Sequence, residues 1–390
     1  MHEESDQARG SERTRARAAR RGLGALALLL PAAAGCHAFP LSLYVEGEVL
    51  DELSATSFRS AVDDREIAAG MRERLGYDGG RAPYLEEAFH RLDLAPADPF
   101  SPAAADDPAS PFLAGLASGD VILAKNPKAQ SLAATLSFAE FAYYDHLGVL
   151  VFEDGGVWVY EAWPRLRLLS TAPDFISRFQ GHVDRVPLRE FLARYETLEL
   201  VRLPDPGRNA RAVEAARRSR AQRIPYDPYH DPEQPGLSCS EYVEMLFLAE
   251  AGYPAGLPPR PLGRNAAWAR IADSLGFRAP AYVVPDDFAG LEGARSVGII
   301  SRHRTLAEAR AMRTAFRVLH DRDRPDSPAG DYLAAHPWHF LVYRDTTLAY
   351  FEWTKGYVRA HPEASEATLR AAIETIYDLC FRPRRPAAAG

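Results

Sequence analysis

The segment from His146 to Trp163 constrains the fold more than any other part of the chain. His146-Leu147-Gly148-Val149-Leu150-Val151-Phe152 is an apolar run, Glu153-Asp154-Gly155-Gly156 is turn chemistry, and Val157 to Trp163 returns as a second apolar run. Two such runs around a short glycine-containing turn predict a β-hairpin. With Phe152 paired to Val157, His146 falls opposite Trp163. Glu161 then sits one step diagonal to the histidine on the same face of the sheet. A carboxylate in that place can orient the imidazole through its far nitrogen. A turn of odd length would move Glu161 to the other face and remove the pairing. Asp145 is adjacent to His146, so it points to the opposite face and is a poor partner for the ring.

An oriented histidine becomes chemistry only beside a nucleophile. The three cysteines, Cys36, Cys239 and Cys380, are too few and too scattered for a disulfide framework or a zinc site, and neither CxxC nor HExxH occurs. No metal or other cofactor is expected. Ser238-Cys239-Ser240-Glu241, followed by Tyr242, Val243, Met245, Leu246 and Phe247, reads as a capping box opening a buried helix. Cys239 then stands in the first helical turn, where free backbone amides favour thiolate over thiol. The same amides can hold a developing oxyanion. Taken alone, Cys239 reads equally well as a small buried apolar residue. His146 and Glu161 alone read as a strand-end histidine and a solvent-facing charge. The three together support a nucleophile, its base and an orienting carboxylate.

Other candidates fit worse. His230 lies among Pro228, Pro232 and Pro235 and reads as a loop residue. His336 and His339 flank Trp338 far downstream and read as structural. Cys380, beside Leu379 and Phe381 in an apolar terminal helix, reads as a buried free thiol. A Cys239–Cys380 disulfide is the alternative, and it would abolish the nucleophile.

The runs "GDVIL", "DHLGVLVF", "VYEAW", "IPYDPY" and "SCSEYVEMLF", in that order, resemble the circularly permuted papain-like hydrolases of the NlpC-type superfamily. These are the YiiX- and YebB-like proteins, relatives of lecithin retinol acyltransferase. The resemblance spans roughly Phe112 to Ile300. In the permuted group the histidine precedes the cysteine, as it does here. It implies an α+β fold with a small antiparallel sheet packed on the cysteine helix. It also implies thiolate attack on an amide or ester carbonyl through an acyl-enzyme, without a metal. Cys239 matches the nucleophile, His146 the base, and Glu161 the third polar position. Tyr226 is similar to an aromatic near the family site, and it and Ser240 are expected on the oxyanion side. Family members commonly carry Ser or Thr where this chain has Asp145.

Around that core the chain carries additions. Arg13, Arg15, Arg17, Arg20 and Arg21 precede an apolar run from Leu23 to Ala34, too short to span a membrane and suited to a signal peptide. Ala33-Ala34-Gly35-Cys36 resembles a bacterial lipobox, with Ala33 where Leu is usual. Lipidation at Cys36 would tether the protein to the membrane of the cell envelope; ordinary cleavage near Ala34 or Ala38 would secrete it. The expected organisation is a signal segment over 1–36, a helical segment and linker over 37–111, a catalytic domain over 112–300 and a helical extension over 301–390. Residues 95–111, rich in Pro, Ala, Asp and Ser, supply the linker. Helices are expected at Leu306–Leu319 and Glu366–Leu379.

A net charge of -7 argues against a nucleic-acid partner. The expected activity is that of a cell-envelope cysteine hydrolase acting on a cell-wall peptide or a lipid acyl group. The alternative is a non-catalytic envelope lipoprotein that uses the same fold as a binding module.

Overall fold

Val121-Ile122-Leu123-Ala124 is apolar at every position, which suits a strand covered on both faces. The computed structural model shows why. It describes residues 62–94, 99–166, 179–227, 235–254, 257–262, 281–323, 332–336 and 340–382. Residues 1–61, on which the expected signal segment and Cys36 fall, and also His230 and His339, lie outside the described residues. The strands are β1 (Phe89–Arg91), β2 (Pro99–Phe100), β3 (Val121–Lys125), β4 (His146–Glu153), β5 (Gly156–Leu166) and β6 (Phe179–Pro187). They continue as β7 (Thr197–Arg202), β8 (Arg260–Pro261), β9 (Ala281–Tyr282), β10 (Arg295–Ser301), β11 (Leu333–His336) and β12 (Phe340–Tyr343). The helices are α1 (Asp64–Leu75), α2 (Ala129–Ser137), α3 (Leu188–Leu192), α4 (Pro206–Gln222) and α5 (Cys239–Glu244). After them come α6 (Asp286–Ala289), α7 (Leu306–Arg322), α8 (Asp345–Ala360) and α9 (Glu366–Phe381).

The fold is α+β, and its centre is an antiparallel sheet of order β2-β1-β10-β7-β3-β4-β5-β6. At eight strands it is not the small sheet that the resemblance implies. Alternation along β3 and β4 divides the apolar residues between two faces. Val121, Leu123, Leu147, Val149 and Val151 belong to one cluster, together with α4, α5 and the C-terminal helices. Ile122, Ala124, Leu150, Val157 and Val159 belong to the other, with Phe112, Phe191 and Tyr195.

The packing joins both flanking segments to the central sheet. Residues 89–91 and 99–100 lie before the expected boundary at 111, yet they pair with each other, and 89–91 pair with β10, inside the central sheet. The stretch read as a linker holds β2 and two short 3-10 turns, Pro102–Ala105 and Pro111–Leu113, whose Ala105, Phe112 and Leu113 are buried. Proline and alanine there mark tight turns on an apolar surface rather than a free tether. Downstream, α7 and α9 occupy the expected places, and α8 lies between them. These three helices pack on one another, and Phe316, Phe351 and Ile373 join the same apolar cluster as Leu147 and Cys239. The C-terminal helices are thus continuous with the central core.

Candidate functional site

The hairpin forms in the register that joins its two polar residues. Phe152 pairs with Val157 and Glu153 with Gly156, leaving Asp154 and Gly155 as a two-residue turn. Both turn residues have positive φ, +52° and +71°, the signature of the tight turn that matches strand twist. An even turn keeps Glu161 on the His146 face, and Nε2 of His146 lies 2.7 Å from Oε2 of Glu161. Both side chains are fully buried. Gly148, on the same face between them, is dictated by space. A Cβ there would lie 2.7 Å from Cγ1 of Val159 and 2.9 Å from the Tyr160 carbonyl.

Helix α3 and the turn after it complete this pocket. Arg194 donates to Oε1 of Glu161 at 2.6 Å, and its guanidinium lies 4.2 Å from the Trp163 ring centroid. Burial pushes the Glu161 carboxyl up, but Arg194 and then His146 outweigh it and hold the group below the ordinary carboxylate range. Glu161 is therefore ionised and accepts only. The Nε2–H of His146 then donates to it, and in the neutral form of the ring the lone pair stands on Nδ1. Nδ1 is buried and has no hydrogen-bond partner among the described residues. The imidazole is walled by Trp163 (5.1 Å between centroids, edge-on), Phe191 (5.9 Å) and Tyr195 (5.6 Å, planes within 4°).

The capping box forms as its sequence predicts. Ser238 Oγ accepts from the Glu241 amide at 3.4 Å, and Glu241 Oε2 accepts from the Ser238 amide at 2.8 Å. Cys239 is the first residue of α5, and the helix continues from Met245 to Glu250 with π winding. The helix packs on β4 and β5, and Cys239 is fully buried. Its start is fixed near the strand end that carries His146. Leu237 bridges to Tyr226, whose amide donates to the Gly181 carbonyl; Gly181 faces Pro164, beside Trp163. Ser240 and Tyr226 are both buried at this end. Cys239 sits in the apolar cluster on the α5 face of β4, whereas the imidazole is surrounded by members of the other cluster. The two groups approach one end of the sheet from its two faces. The structure joins His146 to Glu161 but makes no hydrogen bond at Nδ1 among the described residues.

Behind the pocket lies a second set of buried charges, one residue along from the site on three neighbouring segments. Asp145 precedes His146, Lys125 follows the Ala124 that pairs with it, and Glu196 follows Tyr195. Asp145 accepts from the Asn126 amide. Glu196 accepts from Tyr84 at 2.5 Å and Tyr143 at 3.3 Å. Burial raises its carboxyl to about 7, against the opposing pull of Lys125.

Sequence reading missed Arg194 and Tyr195. They lie more than 30 residues from either hairpin strand end they serve, in a segment whose only local signal is a short amphipathic turn; nothing in it marks contact with His146. Cys239 and Cys380 are both free thiols, so the disulfide alternative is not formed. The backbone of His336 lies in β11, outside this pocket. A surface groove of about 560 Å³ lined by Tyr77, Arg81, Arg359 and His361 contains none of the site residues. No group of three or more His, Cys, Asp or Glu arranged to hold a metal ion occurs among the described residues.

No known protein family matches the chain, and no curated protein does. Among solved structures, the chain is similar to the metalloprotein yiiX from Escherichia coli O157:H7, with a TM-score of 0.37 and 18% sequence identity. The match covers 47% of this chain and 97% of that one.

Proposed function

We propose that the chain is a cysteine hydrolase of circularly permuted papain-like design, cleaving an amide or ester through an acyl-enzyme on Cys239. One observation carries this reading. A chain of hydrogen bonds runs from the partly buried Arg194 through the buried Glu161 to the buried His146 and ends on the unpaired Nδ1, at the end of the sheet where a capped helix presents Cys239. In the proposed reaction Nδ1 takes the thiol proton, and the sulfur adds to the carbonyl carbon. The C–N or C–O bond then breaks as His146 returns the proton to the leaving group. Water, activated by the same nitrogen, releases the acyl group. Arg194 and Glu161 stabilise the imidazolium that forms in between. The basic leader and the run ending at Cys36 support action at the cell envelope, lipid-anchored or secreted, on a cell-wall peptide or a lipid acyl group.

Full burial of Cys239, His146 and Glu161 favours a second reading, a binding module that keeps the fold without turnover. The two readings separate in one experiment. The full chain is incubated with peptidoglycan-derived peptides and, in parallel, with acyl lipids, and Cys239 is followed by mass spectrometry. An acyl adduct on Cys239 that disappears in Cys239→Ser, and whose formation slows about 10²-fold or more in His146→Ala, is the expected result. Substrate binding without any adduct would establish the binding module instead.

A further inference from the structure

Two buried polar atoms in the pocket lack hydrogen-bond partners among the described residues: Nδ1 of His146 and the hydroxyl oxygen of Tyr195. Their rings lie side by side with planes 4° apart, and both side chains are fully buried. Buried hydroxyls nearly always find a partner, so an unpaired one beside a catalytic base calls for an explanation. The two atoms are also chemically complementary. Nδ1 is an acceptor, because Nε2 carries the proton, and the Tyr195 hydroxyl is a donor. A thiol hydrolase needs both at its reacting carbon: an acceptor for the thiol proton and a donor for the oxygen on which charge develops.

We infer that Tyr195 is a catalytic residue whose hydroxyl donates a hydrogen bond to the carbonyl oxygen of the substrate as Cys239 attacks; the inference rests on the hydrolase reading above. In that step the sulfur–carbon bond forms and the carbonyl π pair moves onto oxygen. The resulting oxyanion is held by the Tyr195 O–H. When the tetrahedral adduct collapses, the pair returns and the leaving group departs. Tyr195 keeps its proton throughout. Burial raises its pKa well above the usual phenol range, and the charges of Glu161, Asp145 and Cys239 raise it further against the opposing pull of Arg194. A donor that cannot ionise near neutral pH suits this role. The sequence reading assigned the oxyanion side to Tyr226 and Ser240. Tyr195 adds a donor from the His146 side of the sheet.

The test compares two reactions of the same thiol in the full chain. Iodoacetamide alkylates sulfur by displacement at a saturated carbon and develops no oxyanion. p-Nitrophenyl acetate acylates sulfur through a tetrahedral oxyanion and releases p-nitrophenolate. Tyr195→Phe should leave alkylation of Cys239 within about twofold of wild type and slow its acylation about 10²-fold. His146→Ala should slow both. Restoring a hydroxyl with 3-fluorotyrosine at position 195 should recover acylation, which excludes a packing effect, and thermal unfolding midpoints confirm that each variant is folded. Equal slowing of both reactions by Tyr195→Phe would make Tyr195 a support for the imidazole and overturn the proposal. So would no slowing of either. If wild-type Cys239 alkylates no faster than Cys380, the hydrolase reading itself fails. That outcome is distinct from fast, His146-dependent alkylation with an acylation rate indifferent to Tyr195, which refutes the tyrosine alone.

Discussion

Two helices of this molecule carry a buried cysteine, and they place it at opposite ends. Cys239 is the first residue of α5, directly after a Ser238–Glu241 capping box. Cys380 is the last residue but one of α9, in the turn where carbonyl groups point outward. Both thiols are removed from water, so burial alone does not distinguish them. Position along the helix and neighbours do. Amides at a helix start lower the cost of a thiolate, while carbonyls at its end raise that cost. Burial lifts the Cys380 thiol to about 12, and the nearby Arg81 does not reverse it. In the proposed reaction Cys239 instead hands its proton to Nδ1 of His146, which has no hydrogen-bond partner among the described residues. The same residue type thus serves as packing in one helix and as a candidate nucleophile in the other.

The largest expected effect follows directly. Iodoacetamide at pH 7 should alkylate Cys239 at least about 10³-fold faster than Cys380 in the folded full chain, measured by peptide mass spectrometry over time. Cys239→Ser should leave the slow Cys380 signal, read on its own peptide apart from that of Cys36. Comparable rates at the two positions would erase the contrast and leave Cys239 as a second packing thiol.

How far this contrast could be read from sequence differs between its parts. The capping box and the hairpin register were legible because each depends on residues within a few positions of one another. Ser238 and Glu241 satisfy each other across one turn. Asp154-Gly155 fixes an even turn, and an even turn fixes the face on which Glu161 stands. The α7 and α9 helices were legible from their apolar spacing. The sheet was not legible in full, because β1 and β2 are three and two residues long and the pairing of β1 with β10 spans about 200 positions. A run as short as Phe89-His90-Arg91 has no periodicity to detect. Arg194 and Tyr195 were hidden for a related reason. Their role comes from the return of α3 over the β4–β5 face, a tertiary contact with no sequence spacing of its own.

Arg194 gives the second way to sharpen the comparison. Cys239 is to draw its reactivity from a relay through Arg194, Glu161 and His146, whereas the charges acting on Cys380 are the partly exposed Arg81 and Asp64. Arg194→Met leaves Glu161 fully buried with its main compensating charge removed, and His146 alone must offset the burial. The Glu161 carboxyl should then titrate higher, and the imidazolium should be less stable. Breaking a buried pair in this way costs about 3 kcal/mol of folding stability, measurable by urea denaturation. Alkylation of Cys239 should slow about tenfold while the Cys380 rate stays unchanged. An unchanged Cys239 rate in a folded variant would mean that the thiolate depends on the helix end alone.

The smallest effect concerns pH, and it too divides the molecule. The Cys380 thiol stands at about 12 and does not titrate between pH 6 and 8. Next to the His146 pocket, Glu196 is fully buried, and burial raises it to about 7 despite Lys125 and the hydrogen bonds from Tyr84 and Tyr143; Asp145 raises it further. Its folded pKa therefore lies above the unfolded value of about 4.3, so the folded chain binds this proton more tightly. The contribution to stability is complete below about pH 4 and declines as pH rises through about 7. Between pH 6 and 7.5 the loss should be about 1 kcal/mol, from linkage. Glu196→Gln, which keeps the shape and cannot ionise, should flatten the unfolding free energy across that interval. If wild type and Glu196→Gln show the same slope, the charge of Glu196 is matched by Lys125 in the folded state. The buried charges behind the site would then form a permanent ion pair rather than a group that gains and loses a proton near neutrality.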